Sequence, residues 1–130
     1  MSRTVPSKSN VNALLTLTAA NAAAAPTSQD IDVSNYGGII LYIDITGITG
    51  TTPTLTVTIQ GKDDVSGKYH TILASAALNA TGTTVLRVYP GLTAAANLTA
   101  NDVLAKTIRV TTAIGGTTPA VTATISSVLI

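Results

Sequence analysis

The strongest constraint on the fold of this chain is an alternation of apolar and polar residues, with a period of two, that recurs along its length. Apolar residues at 55, 57 and 59 alternate with threonines and a glutamine, and residues 121–126 repeat the pattern with Val, Ala and Ile. Threonine is β-branched, so it fits a pleated sheet while keeping the solvent face polar. No segment shows a convincing helical period. The pattern therefore predicts an all-β protein.

Further candidate strands, and the turn signals between them, indicate the architecture. Apolar, β-rich runs are separated by clusters of Gly, Pro, Asn and Asp, and lie at 38–46, 69–75, 83–89 and 104–113. About seven or eight short strands at this spacing predict an antiparallel β-sandwich, jelly-roll or Ig-like, with a small barrel as the alternative. The 130 residues make up one domain's length. We expect a single sandwich domain at 11–130, preceded by a flexible N-terminal arm at 1–10.

One sequence motif occurs twice. GTTPTLTVTIQ at 50–60 matches GTTPAVTATIS at 116–126, and a β-rich run precedes each copy. Pro53 and Pro119 lack an N–H group, so they suit the end of a turn or the start of a strand. Each copy is interpreted as strand, Gly-Thr-Thr-Pro turn, strand. The repeat therefore predicts two similar hairpins, a natural unit for two facing sheets, and a repeated binding loop is the alternative.

Residues 39–45 differ from the other runs because both faces of the predicted strand are apolar. Ile39, Leu41 and Ile43 fall on one face, while Ile40 and Tyr42 fall on the other. Such a strand is either central and covered or part of a contact surface. Burial of both faces within the domain is the slightly favoured interpretation.

The titratable residues argue against catalysis and metal binding. The chain has no Cys, no Glu and one histidine, His70, which we expect at the surface. The adjacent acids Asp63 and Asp64 precede a glycine, a pattern typical of a hairpin turn. Asp30 and Asp32 share one side of a strand, where calcium is a weak alternative. We predict a non-enzymatic protein without cofactor or metal.

Charge and hydropathy exclude two classes of partner. Charged residues make up 10% of the chain and the net charge is +1, so no basic stripe is available for nucleic acid. No apolar stretch approaches the roughly 20 residues of a membrane-spanning helix. We therefore expect neither nucleic acid nor a membrane as partner.

Two segments look irregular and supply most candidate interaction residues. The polar, weakly basic residues 1–10 resemble an arm, and residues 90–103 form a long Ala-, Asn- and Thr-rich connection typical of a binding loop. Together with the apolar run and the few tyrosines, these segments give the candidate interaction residues Arg3, Lys8, Ile40, Tyr42, Tyr89, Leu92 and Asn97.

The central part of the chain resembles small structural proteins of tailed-bacteriophage virions, of the head decoration or minor capsid type. The resemblance is carried by SNYGGIILYIDITG at 34–47, LTVTIQGKDDVSGKY at 55–69 and ILASAALNATGTTVLRVYPGLTAAANLTANDVL at 72–104. These motifs are structural, and no catalytic residues come with them. They leave the position in the particle open between head, junction and tail.

The resemblance implies a virion protein that is assembled in the cytoplasm of a bacterial host. We expect a capsid decoration or minor capsid protein that binds the major capsid protein and reinforces the shell. We also expect it to bind copies of itself with cyclic symmetry, plausibly as a trimer. The alternative is a tail- or fibre-associated module that recognises a cell-surface glycan through loops such as 90–103.

Overall fold

A computed structural model describes residues 11–130 of the chain, apart from the side chains of residues 11 and 12. The described residues form seven strands and one short 3-10 turn, Ala22–Ala24. The strands are β1 Val11–Ala20, β2 Ile31–Asp32, β3 Ile39–Lys62, β4 Tyr69–Ala74, β5 Gly82–Val88, β6 Thr99–Ala100 and β7 Thr107–Leu129. The predicted all-β class is confirmed. The short strands expected at 38–46 and 104–113 are parts of β3 and β7, which are 24 and 23 residues long.

The long strands β3 and β7 are the centre of the sheet. They pair antiparallel over their whole length, from Ile39 opposite Leu129 to Lys62 opposite Thr107. The main strand order is β1-β7-β3-β5-β6, with β2 paired to β7 and β4 paired to β3. Among the strands of residues 11–130, only the short β5–β6 contact is parallel. Hydrogen bonds thus join all seven strands into one sheet, whereas the predicted sandwich expects two.

The two Gly-Thr-Thr-Pro motifs do not form turns, so the predicted hairpins are wrong. Each long strand continues through its motif, and the two motifs lie opposite each other, with Thr51 paired to Thr117. The two halves of β3 therefore pair with β7 and not with each other, and the two halves of β7 likewise pair with β3. Register shifts flank both motifs, and Thr52 and Thr118 have φ values of 46° and 47°. Such bulges bend and twist a strand without ending it.

The motifs divide the sheet into two halves with different flanking strands. The β5 half contains β1, β5, β6, the first part of β3 (39–49) and the last part of β7 (120–129). The β4 half contains β2, β4, residues 54–62 of β3 and residues 107–115 of β7. This division positions every surface considered below.

A single apolar core joins the two halves. Leu41 and Ile43 from the β5 half and Val57 and Ile59 from the β4 half are fully buried and belong to one cluster. In β7 the buried positions change from even numbers to odd numbers across the motif at 116–119, so that both halves face the same core. Fully burying one such side chain stabilises the fold by about 1.5–3 kcal/mol. The two halves of the one sheet therefore pack against a common core. A sandwich of two separate sheets stays a prediction.

Candidate interaction surfaces

The outer face of the β5 half carries an apolar patch. Ile39, Leu41 and Ile43 point to the core and are fully buried, whereas Ile40 is half-buried and Tyr42 is 36% exposed. The favoured expectation that both faces of this run are buried is therefore wrong for the outward face. Asp44 and Arg87, which share this side of the sheet with Tyr42, are exposed as well, so this side faces away from the core.

Neighbouring strands extend this patch. Ile40 lies between Arg87 of β5 and Val128 of β7, and Tyr42 lies between Val85 and Ser126. Val85 and Val128 are half-buried. We define the outer patch as Ile40, Tyr42, Val85 and Val128. Charged residues stand at its two ends, as described below.

Strand β1 forms one edge of the β5 half. Its ten residues, VNALLTLTAA, contain no charged side chain and no proline. One side of β1 pairs with β7, and no strand among residues 11–130 pairs with its other side. Natural proteins usually protect such an edge with lysines, prolines or very short strands, because unpaired backbone groups invite another strand. Two register shifts are the main protection here.

A groove runs beside this edge. It has a volume of about 530 Å³ and lies between residues 13–15 of β1 and residues 27–32. Leu14, Leu15 and Ile31 contribute partly buried apolar surface, while Asp30 and Asp32 contribute carboxylates. We call this feature the edge groove. It combines unpaired strand edges with apolar and acidic side chains.

Asp30 belongs to a polar cluster that the sequence did not reveal. Its carboxylate accepts hydrogen bonds from the Tyr69 hydroxyl, at 2.7 and 2.9 Å to its two oxygens, and from the Lys62 ammonium at 3.0 Å. The Arg109 guanidinium stacks 3.5 Å from the centroid of the Tyr69 ring and donates to Gln60 at 2.7 Å. The cluster connects the segment before β2 with β3, β4 and β7. We call this cluster, which spans the β4 half, the clasp; its members are Asp30, Gln60, Lys62, Tyr69 and Arg109.

The clasp shifts the pKa values of its members. The Tyr69 hydrogen bond, followed by the bond and charge of Lys62, lowers the pKa of Asp30. The same contacts with Asp30 raise the pKa values of Tyr69 and Lys62. Each shift favours the protonation state present near neutral pH, in which the hydrogen bonds and the ion pair of the cluster are formed.

Two further acids make local hydrogen bonds, Asp63 at the turn between β3 and β4 and Asp32 at the end of β2. Asp63 accepts from the backbone N–H of Val65 at 3.0 Å and from the Ser66 hydroxyl at 2.9 Å, which confirms the predicted turn and lowers the pKa of Asp63. Asp32 accepts from the N–H of Ser34 at 2.9 Å. Within residues 11–130, no group of three His, Cys, Asp or Glu side chains could hold a metal ion. His70 is exposed, as expected, and its ring lies over Gly61.

The long connection at 90–103 is tied to the sheet by β6, which pairs with β5, and by a side-chain hydrogen bond of Asn97. Asn97 has a φ of 64° and donates from its side-chain amide to the carbonyl oxygen of Ala74 at 3.1 Å. Asn101 accepts from the N–H of Gly91 at 3.0 Å. These bonds give Asn97 a structural role that spacing alone could not indicate, because its partner lies on β4. Leu98 and Val103 are 49% and 58% exposed.

The five predicted interaction residues that the structure describes lie in different parts of the fold. Ile40 and Tyr42 share the outer patch, whereas Asn97 anchors the connection to β4. Tyr89 and Leu92 are half-buried near the start of that connection. The positions of Arg3 and Lys8 lie outside the described residues. Sequence reasoning missed the edge groove and the clasp because both depend on contacts between distant strands.

No protein-family model matches the chain, and no curated protein matches it in sequence. In the part of the chain that the structure describes, no helix has the length and apolar character needed to cross a bilayer.

Proposed function

We propose that this chain is a non-enzymatic structural protein of a tailed-bacteriophage virion, a capsid decoration or minor capsid protein that binds the major capsid protein and reinforces the shell. The observation that carries the proposal is β1, a ten-residue edge strand without charge or proline beside an open groove. An edge of this kind suits a protein whose strand is covered by a neighbour in an assembly.

The sequence that precedes β1 carries positive charge. Residues 1–10 lead directly into β1 and carry Arg3 and Lys8 without any acid. The edge groove contributes Asp30 and Asp32 next to this point. In the proposal, residues 1–10 and β1 together contact the shell.

The central ladder explains how such a protein would reinforce a shell. β3 and β7 form one continuous antiparallel ladder between the β4 half and the β5 half, and a single core fills both. A rigid domain that contacts two neighbouring capsid subunits restrains their relative motion. Repetition at symmetric sites on the particle adds multivalency to individually weak contacts. The resemblance of residues 34–104 to virion proteins supports the same role.

Binding to tail-less capsids of the virion that encodes the chain tests the proposal. We expect the purified chain to cosediment with these capsids at a saturable, symmetry-related copy number. The double variant Thr16→Lys/Thr18→Lys places two charges on exposed positions of β1 and should lower capsid affinity at least tenfold. The matched control Thr93→Lys changes an exposed threonine in the 90–103 connection and should bind normally.

Two results would contradict the proposal. Absence of the chain from tail-less capsids, with its presence on tails, would place it elsewhere in the particle. Retention on a cell-surface glycan that is lost in a Tyr42→Ala or Tyr89→Ala variant would support the tail- or fibre-module alternative.

A further inference from the structure

We propose that two copies of this chain associate face to face through the outer patch, about a twofold axis that lies in the plane of the interface. This inference concerns the isolated chain, so it goes beyond the virion role and is tested separately from it.

The first observation is the arrangement of charge around the patch. Arg87 of β5 is opposite Ile40 of β3, and Asp44 of β3 is opposite Thr83 of β5. The two charges therefore stand at opposite ends of the patch and on adjacent strands. Four residues of strand rise and one strand spacing separate their Cα atoms by about 14 Å.

The second observation is that neither charge has an ion-pair partner among residues 11–130, where the single ion pair joins Lys62 to Asp30. The Asp44 carboxylate accepts a long hydrogen bond, at 3.4 Å, from the Thr83 hydroxyl. Both side chains are exposed, and both lie on the outward face with Tyr42. Each is therefore available to a partner.

The arrangement is self-complementary. A twofold axis that passes midway between Arg87 and Asp44, perpendicular to the line joining them, places Arg87 of one copy against Asp44 of the other. Two equivalent ion pairs result, one at each end of the interface. The same axis brings Tyr42 and Val85 of each copy close to their counterparts. An exposed tyrosine at the centre of a contact, ringed by polar groups, is typical of an interface hot spot.

The size of the face predicts a weak dimer. Four strands about 4.8 Å apart, each presenting about eight residues, give a planar area of roughly 500 Å² for each copy. Stable complexes usually bury about 800 Å² for each partner. A second copy bound to this face should therefore form a reversible dimer. Such a dimer forms where the local concentration of the chain is high, as on the crowded surface of an assembly.

Charge reversal tests the proposal in the full chain. Sedimentation equilibrium from about 10 μM to 1 mM should show a monomer–dimer equilibrium for the wild type. Asp44→Arg places like charges at both ends of the interface, and so does Arg87→Asp; each should raise the dissociation constant at least tenfold. The double variant Asp44→Arg/Arg87→Asp restores opposite charges and should return the constant to within about threefold of the wild type. Asp102→Arg, an exposed change in the 90–103 connection, is the control and should leave the equilibrium unchanged.

Several outcomes would overturn the proposal. These are a monomer throughout the concentration range, a trimer, single reversals without effect, or a double variant no better than the singles. Far-UV circular dichroism of each variant checks that the fold is intact. Because no capsid enters this experiment, its failure would leave the capsid-binding proposal to its own test.

Discussion

Replacement of Gly116 by alanine should destabilise the fold strongly, because the two Gly-Thr-Thr-Pro motifs pack backbone against backbone. Gly116 has a φ of +106°, and a Cβ atom there would lie 2.7 Å from the carbonyl oxygen of Thr52 and 2.9 Å from the Cα of Pro53. The contact is reciprocal, since a Cβ at Gly50 would lie 2.9 Å from the carbonyl oxygen of Thr118. Because the atoms nearest to the added Cβ belong to the backbone, they cannot move aside as the end of a flexible side chain could.

The expected cost follows from two separate effects. A non-glycine residue held at this φ costs about 1–3 kcal/mol. Displacement of packed backbone to admit an extra methyl group costs a further 1–3 kcal/mol or so. Gly116→Ala should therefore lower the free energy of unfolding by about 2–6 kcal/mol. Gly50→Ala should have a similar or slightly smaller effect, because its shortest contact is longer.

Urea denaturation followed by far-UV circular dichroism measures this cost. Two matched glycine variants separate strain from steric overlap. Gly67→Ala meets a positive φ of +77° with open space, so it should cost only about 1–2 kcal/mol. Gly37→Ala meets neither obstacle and should stay within about 0.5 kcal/mol of the wild type. A Gly116→Ala variant no less stable than Gly67→Ala would refute the close packing of the two motifs.

Two further predictions concern the clasp and acid stability. Tyr69→Phe keeps the ring beneath Arg109 but removes the hydroxyl that donates to Asp30, so the pKa of Asp30 should rise towards its ordinary value. NMR titration of the carboxyl groups measures this pKa, with Tyr36→Phe as the control. An unchanged pKa of Asp30 in Tyr69→Phe would contradict the hydrogen bond. Asp30 and Asp63 both have lowered pKa values in the folded chain, so each stabilises the fold above its unfolded pKa of about 4 and loses that contribution as pH falls through its folded pKa. The urea midpoint should therefore fall as the pH drops below about 4, and a midpoint unchanged down to pH 2 would argue against these contacts.

The local pattern was sufficient to locate several strands but not their full length. Alternation of apolar residues with threonine predicted β-strands at 69–75 and 83–89, and β4 and β5 lie there. The Asp63 turn could also be predicted, because an aspartate that bonds a backbone N–H two residues later needs only local contacts. The same holds for the inward face of residues 39–45, whose alternate side chains are buried.

The interaction surfaces required more than the pattern. The apolar character of Ile40 and Tyr42 was visible in the sequence, but whether a second layer covers them depends on which strands lie nearby. The Asp30 clasp joins residues 39 positions apart, and a sequence offers no rule for pairing one acid with one tyrosine at that distance. Asn97 was a predicted interaction residue, and its side-chain amide donates a hydrogen bond to the carbonyl oxygen of Ala74 on β4.

The twin motifs show most clearly what each level determined. The sequence by itself determined that the chain is all-β, that its core is formed by alternate residues, and that one motif occurs twice, because these depend on side-chain period and composition. Only the tertiary structure decided what the repeat does. Gly-Thr-Thr-Pro has the composition of a turn, yet the chain does not reverse there, because β3 and β7 pair with each other on both sides of the motifs. The two motifs instead lie in close backbone contact at Gly50 and Gly116. The pairing partner of a strand is a property of the whole sheet, and no local propensity contains it.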